Sequence, residues 1–168
     1  PRLEFVSPIK RSVGGENLRI AQSRLRGKFT VAAKSFSPGE VIASEEPLLI
    51  ITHAAASADE PELALMRGIL ARVSEQAGAE LTPYARIWTA YVQGSADYRA
   101  RLIGLASPPL DLDHPLLAAT KQAALTAKAR CTMLSKVSAD ALQKLLLVGL
   151  SNAQGYTNAD GDGTALLE

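Results

Sequence analysis

The sequence predicts an α+β chain: a β-hairpin and short strands first, a large helical insert next, then a return to strand. Three observations carry that prediction. Residues 28–34 alternate, with Phe29, Val31 and Ala33 facing one way and Lys28, Thr30 and Lys34 largely the other, which is the period of a strand. From Ser57 to about residue 150 the chain turns alanine-rich, with apolar residues at helical spacing. Gly163 to Leu167 again looks like a short strand. The 168 residues suit one domain with a core of its own. Its predicted parts are a β portion over 1–56, a helical insert over 57–150 and a β return over 151–168.

Taken in order, residues 1–25 read as irregular, with short strands at Leu3–Val6 and Leu18–Gln22 separated by Gly14-Gly15. The strand at Phe29 follows. Ser37-Pro38-Gly39-Glu40 is a turn, because proline presets φ at its second position and glycine follows where φ can be positive. Val41 to Thr52 then supplies the second hairpin strand, interrupted by Glu45-Glu46-Pro47.

The helix starts are well marked. Ser57 or Asp59 caps a first helix with Pro61 in its opening turn, and Leu63, Met66, Ile69, Leu70 and Val73 form its apolar face. Gly78 stops it. Thr82-Pro83 opens a second helix, carrying Ile87, Trp88 and Tyr91 and closing near Gly94. Ser95 caps a third with Tyr98, Leu102 and Leu105, and Ser107-Pro108-Pro109 breaks the pattern. Asp113 with Pro115 begins a long fourth through Leu117, Leu125 and Met133. Ser138 caps a fifth, with Leu142, Leu145, Leu146 and Leu150 inward.

Composition narrows the class. An apolar fraction of 47% beside 21% charged residues belongs to a globular chain rather than a disordered one. No stretch is apolar for long enough to predict a membrane span. Cys131 is the only cysteine, which excludes an internal disulfide and a cysteine cluster for zinc. Net charge is +1, yet residues 1–34 hold eight Arg or Lys against Glu4 and Glu16, a local +6 that leaves −5 for the remainder. The basic residues of that segment are scattered, with only Phe5 and Phe29 as aromatic residues among them. It reads as solvated surface, and it is the one place where direct contact with nucleic acid is considered. Pro1 rather than methionine stands first, so targeting stays open.

The stretch Arg26-Gly27-Lys28-Phe29-Thr30-Val31-Ala32-Ala33-Lys34-Ser35-Phe36-Ser37-Pro38-Gly39-Glu40, with Glu45-Glu46-Pro47-Leu48 beyond it, resembles the opening of SET-domain protein methyltransferases, above all the SET-and-MYND group. Those first strands read like Gly-Arg-Gly-Leu-Val-Ala-Thr-Arg-Asp-Ile-x-Pro-Gly-Glu-Val-Ile, followed by two acidic residues, Pro and Leu. Gly27-Lys28 stands for Gly-Arg, Ala32 for the Ala, and Lys34-Ser35-Phe36 for Arg-Asp-Ile. Pro38-Gly39-Glu40 and Glu45-Glu46-Pro47-Leu48 match directly. Phe29 replaces the second glycine. A second match in the right order comes near the end, where the group has a helix closing on Asn-x-Phe, a polar loop, and a short strand leading to Asn-His-Ser-Cys. Asn152 takes the asparagine, Gln154 replaces the aromatic residue that walls the lysine channel, and Gly163 to Leu167 takes the strand.

The resemblance covers about residues 18–52 and 142–168. It implies an S-adenosylmethionine-dependent protein-lysine methyltransferase fold without the MYND zinc module, with no metal. The cofactor would lie against Arg26, Gly27, Lys28 and Phe29, and the substrate channel would pass Asn152 and Gln154. The Asn-His-Ser-Cys segment and the late catalytic tyrosine are not in these 168 residues. The expectation is therefore a SET-like chain, incomplete at its C-terminus and inactive as it stands, with no catalytic residue of its own. The alternative is a non-catalytic structural or interaction subunit of a larger assembly. In either case a protein partner, or a continuation of the chain, is expected to cover the inner faces of Val31, Ile42 and Leu166. An intracellular setting is expected, with nucleus, cytoplasm and organelle all open.

Other constellations weigh less. Asn158, Asp160 and Asp162 with Gly163 imitate half an EF-hand loop, but a polar turn explains them better. His53 and His114 have no metal-ligand spacing around them. Cys131 has Lys128 and Arg130 nearby, which would lower its pKa, yet without a histidine partner it reads as a packed helical residue. Tyr84, Trp88 and Tyr91 share a helix and read as core. Glu45 and Glu46 are adjacent in a strand and point to opposite faces, so they share no chemistry.

Overall fold

The computed structural model describes residues 4–8, 17–23, 27–42, 46–52, 58–158 and 161–166. The chain divides into two compact units, Pro1–Glu46 and Pro47–Glu168. The described residues hold five helices and two small antiparallel sheets, a mixed α+β architecture.

The first unit is a three-stranded antiparallel meander of β1 (Glu4–Pro8), β2 (Leu18–Ser23) and β3 (Gly27–Ala32), in that spatial order. β2 and β3 pair without a slip from Leu18↔Ala32 to Ser23↔Gly27, whereas the β1–β2 register shifts between Phe5 and Ser7. Past β3 the expected turn forms. Gly39 has φ +82, Glu40 N donates to Ser37 O at 3.1 Å, and the Glu40 carboxylate accepts from Ser37 N at 3.0 Å. Lys34 Nζ closes the loop at 2.7 Å from Glu40 Oε1 and lies 5.0 Å from the centre of the Phe36 ring. These bonds stabilise the Glu40 carboxylate and hold its pKa below the ordinary value.

Among the described residues, the hairpin expected across that turn does not form. Val41 and Ile42 are exposed and lie in no strand, and β3 takes β2 as its neighbour. Chain economy explains it. β2 reaches β3 through the short connection 24–26, and closing a short loop loses less entropy than closing a long one. The second half of the predicted strand, Leu49–Thr52, pairs in the other unit instead.

The second unit begins with that strand, β4 (Leu49–Thr52), and continues with α1 (Pro61–Ala77), a single 3₁₀ turn at Thr82–Tyr84, and α2 (Ala85–Gln93). α3 (Ala96–Gly104) and α4 (Pro115–Arg130) follow, then a second 3₁₀ turn at Thr132–Leu134 and α5 (Ala139–Asn152). β5 (Ala153–Asn158) and β6 (Gly161–Leu166) complete it. Its sheet has the order β4-β6-β5, so β6 lies in the middle. The β return expected over 151–168 named only Gly163 to Leu167 as a strand; Ala153–Asn158 forms one as well and pairs with β6 from Ala153↔Leu166 to Asn158↔Gly161.

The helices follow the sequence closely where large apolar residues set the face. In α1 the buried residues are Leu63, Met66, Ile69, Leu70 and Val73, and Gly78 ends the helix in the left-handed region at φ 63. Glu60, not Asp59, occupies the cap position, and its side chain makes no capping bond. Ser95 and Ser138 cap α3 and α5 through their hydroxyls, accepting from Tyr98 N and Ala141 N. The cap of α4 is His114, whose Nδ1 accepts from Leu116 N at 3.1 Å, rather than Asp113.

α4 also faces inward differently from the prediction. Leu116, Thr120, Ala123, Ala124 and Ala127 are buried, Leu125 is 46% exposed, and the helix ends at Arg130 before reaching Met133. Small residues let α4 approach α1 and α5 closely, and that close fit decides the face over raw side-chain size. Thr120 is tolerated there because its hydroxyl donates to Leu116 O at 2.7 Å. Trp88 anchors the core of this unit. It is fully buried, with Nε1 donating to Leu142 O at 2.9 Å. Leu166, expected to need outside cover, is fully buried within the same core cluster as Leu142 and Leu145. The helices cover that face of the sheet themselves.

Candidate functional site

The residues singled out for a cofactor and a substrate channel fall in different units. Gly27, Lys28 and Phe29 lie in β3, where their backbone pairs with Ser23, Gln22 and Ala21. Arg26 lies outside the described residues.

Asn152 is the last residue of α5, and Gln154 follows it in β5. The Asn152 amide donates to Val148 O at 2.9 Å and to Ala106 O at 2.8 Å. The first bond closes the last turn of α5. The second ties that turn to the chain leaving α3, so the side chain orients the entry into β5. Gln154, opposite Ala165, is exposed.

The remaining candidates resolve as structural groups. Cys131 is 2% exposed at the end of α4. Burial pushes its thiol pKa up, Glu62 adds to the rise, and Arg130 opposes it too weakly to win. The thiol is packed and not activated, in keeping with its reading from the sequence as a packed residue. Burial likewise raises the pKa values of Tyr84 and Tyr98, and the Tyr98 hydroxyl donates to Leu48 O at 3.2 Å. His53, Glu45 and Asp160 lie outside the described residues, whereas Glu46 is exposed. The pairs Thr157↔Asp162 and Asn158↔Gly161 put the EF-hand-like stretch in a β-hairpin, a backbone unlike a calcium loop. Among the described residues, no three His, Cys, Asp or Glu side chains gather as a metal-binding group, and no helix is long and apolar enough to cross a membrane.

Two surface grooves in the second unit were missed in the sequence. One, of about 350 Å³, is lined by Tyr91, Val92, Arg99, Met133, Lys136 and Val137 among others. The other, of about 300 Å³, lies at the start of α1 beside Asp59, Glu62, Arg86 and Met133. Their residues come from four separate stretches of chain with no shared spacing, so no sequence signal unites them. No protein-family model, curated protein or solved structure matches this chain.

Proposed function

We propose that this chain is a SET-related protein, allied by descent to S-adenosylmethionine-dependent protein-lysine methyltransferases, that holds a partner and does not itself transfer methyl groups. The observation that carries the kinship is strand pairing. The resemblance rests on two stretches separated by the helical run, and β4 from the first lies beside β6 from the second, in register from Leu49↔Leu166 to Thr52↔Gly163. A helical insert between two parts of one β portion calls for such a pairing, and in that way the pairing supports the reading.

The non-catalytic half of the reading rests on side chains. Methyl transfer to lysine depends on aiming a desolvated amine at the sulfonium methyl, which is mainly a matter of positioning. An apolar channel wall helps to desolvate the amine, and the residue at the wall position is Gln154, polar and exposed. Asn152 is engaged with two backbone carbonyls. Phe29 stands in β3 where the family motif has glycine, a residue that lets ligand and backbone approach closely. Titration calorimetry of the 168-residue chain with S-adenosylmethionine tests this reading. No saturable binding is expected at micromolar concentrations, and a micromolar dissociation constant would return the chain to the enzymes.

A further inference from the structure

The two grooves of the second unit adjoin. Both are lined by Met133, and the successive residues Val92 and Gln93 line one each. Met133 sits in the 3₁₀ turn after α4, held in place by its own N–H, which donates to Glu62 Oε2 at 3.0 Å. The floor between the ends is apolar and adaptable: Met133, Tyr91, Val92 and Val137 are all partly exposed. An unbranched thioether suits a surface that must fit a varied partner.

The ends differ in sign. At the α1 end, Arg86 is occupied by a two-pronged bond to Glu60, at 2.7 and 2.8 Å. This leaves Asp59 and the second oxygen of Glu62 as the local surplus of negative charge. At the other end Arg99 and Lys136 are both exposed, and neither forms an ion pair with a described residue. The geometry points to a peptide-docking groove: an extended segment of a partner protein crosses Met133, its acidic side chain against Arg99 and Lys136 and its basic side chain against Asp59 and Glu62.

Charge complementarity selects that occupant. A small anion satisfies one end and leaves the apolar floor and the acidic end bare. A nucleic acid or an anionic membrane meets repulsion at Asp59 and Glu62. An extended peptide with opposite charges at its two ends engages all three regions at once. The charges set orientation and choice of partner, and the buried apolar side chains supply most of the affinity.

This inference rests on the reading of the chain as a partner-binding protein, and its test is independent of the cofactor. The chain has two methionines, Met66 and Met133. Met66 is fully buried, so in a chain carrying ¹³C-methyl methionine it reports on folding while Met133 reports on the groove. The probes are capped peptides Glu-Glu-Leu-Val-Leu-Lys-Lys and Lys-Lys-Leu-Val-Leu-Glu-Glu, with all-acidic and all-basic versions as controls. One mixed-charge peptide is expected to move the Met133 signal saturably below about 1 mM, a weak but specific affinity, with Met66 unmoved. Lys136→Glu and Asp59→Lys should each weaken that binding at least about fivefold, an effect of the size expected for a groove-edge charge. The inference is overturned if neither mixed peptide moves Met133, if a control peptide binds equally well, or if both charge variants bind as before. Cofactor binding by calorimetry would refute the non-catalytic reading and leave the peptide result standing.

Discussion

Two glycine-to-alanine substitutions in the same unit should change its stability in opposite directions. Gly68 lies in the interior of α1 and Gly149 in the interior of α5. In either helix, alanine removes backbone freedom from the unfolded chain, an intrinsic gain of about 0.8–1.0 kcal/mol. At Gly68 a new methyl group meets nothing within 4 Å, so that gain is realised. At Gly149 the methyl would stand 2.7 Å from Ile87 Cδ1, 2.8 Å from Tyr84 Cδ1 and 3.0 Å from Tyr84 Cγ. Comfortable carbon contacts lie at roughly 3.5–4.0 Å. Ile87 is fully buried, and Tyr84 Cγ stands only two bonds from its own Cα, so neither neighbour can simply swing aside. Overpacking of this kind costs about 1–3 kcal/mol, which exceeds the helical gain and leaves a net loss of about 1 kcal/mol. Urea denaturation followed by helical circular dichroism reads both variants, and the slope should stay constant while the midpoint moves. Gly149→Ala raising the midpoint as Gly68→Ala does would refute the close approach of α5 to α2. In an Ile87→Val background the loss at Gly149 should shrink, because the two side chains share one space.

Two further outcomes are expected. Gly39→Val in the first unit should destabilise the turn by about 1 kcal/mol or more, since φ +82 disfavours any side chain even though the space around it is open; amide signals of residues 34–40 that melt unchanged would contradict this. Cys131 should react with iodoacetamide far more slowly in the native chain than in guanidinium, and equal rates would show that the thiol is accessible. Its folded pKa lies above the ordinary 9.0, so its contribution to stability is fully present below that value and is lost as pH rises through the folded one.

The parts of this fold that were legible in the sequence are those where one physical signal dominates. Five large apolar residues at helical spacing gave the buried face of α1, and Ser95 and Ser138 gave two caps. In α4 the signal failed because the buried face is mostly alanine. Alanine scarcely differs from its surroundings in hydropathy, and its burial is decided by how closely neighbouring helices approach. His114 was missed as a cap because a neutral imidazole nitrogen accepts as a serine oxygen does, but rarely enough that no pattern announces it. Strand identity was legible at Leu18, Phe29 and Leu49, whereas strand partnership was not, since the period of a strand says which side chains share a face and nothing of which strand lies alongside. The groove across Met133 lay further out of reach. It is built from the start of α1, the end of α2, α3 and the turn before α5, and its charges acquire meaning only once those stretches meet.

The pairing of β4 with β6 also sets an order of events. β5 and β6 are joined by a short connection and can zip locally on the microsecond scale of a hairpin. β4 has no such route, because the whole helical run separates Thr52 from Gly163. Closing that span in a flexible chain is entropically costly, and folded helices shorten it. The third strand is therefore expected to dock late, on a scaffold that is already packed, and amide exchange should find β4 less protected than α5. A fault in the helices would surface as a missing edge on the sheet. The four residues of β4 thus act as a latch that shuts only on a correctly assembled interior.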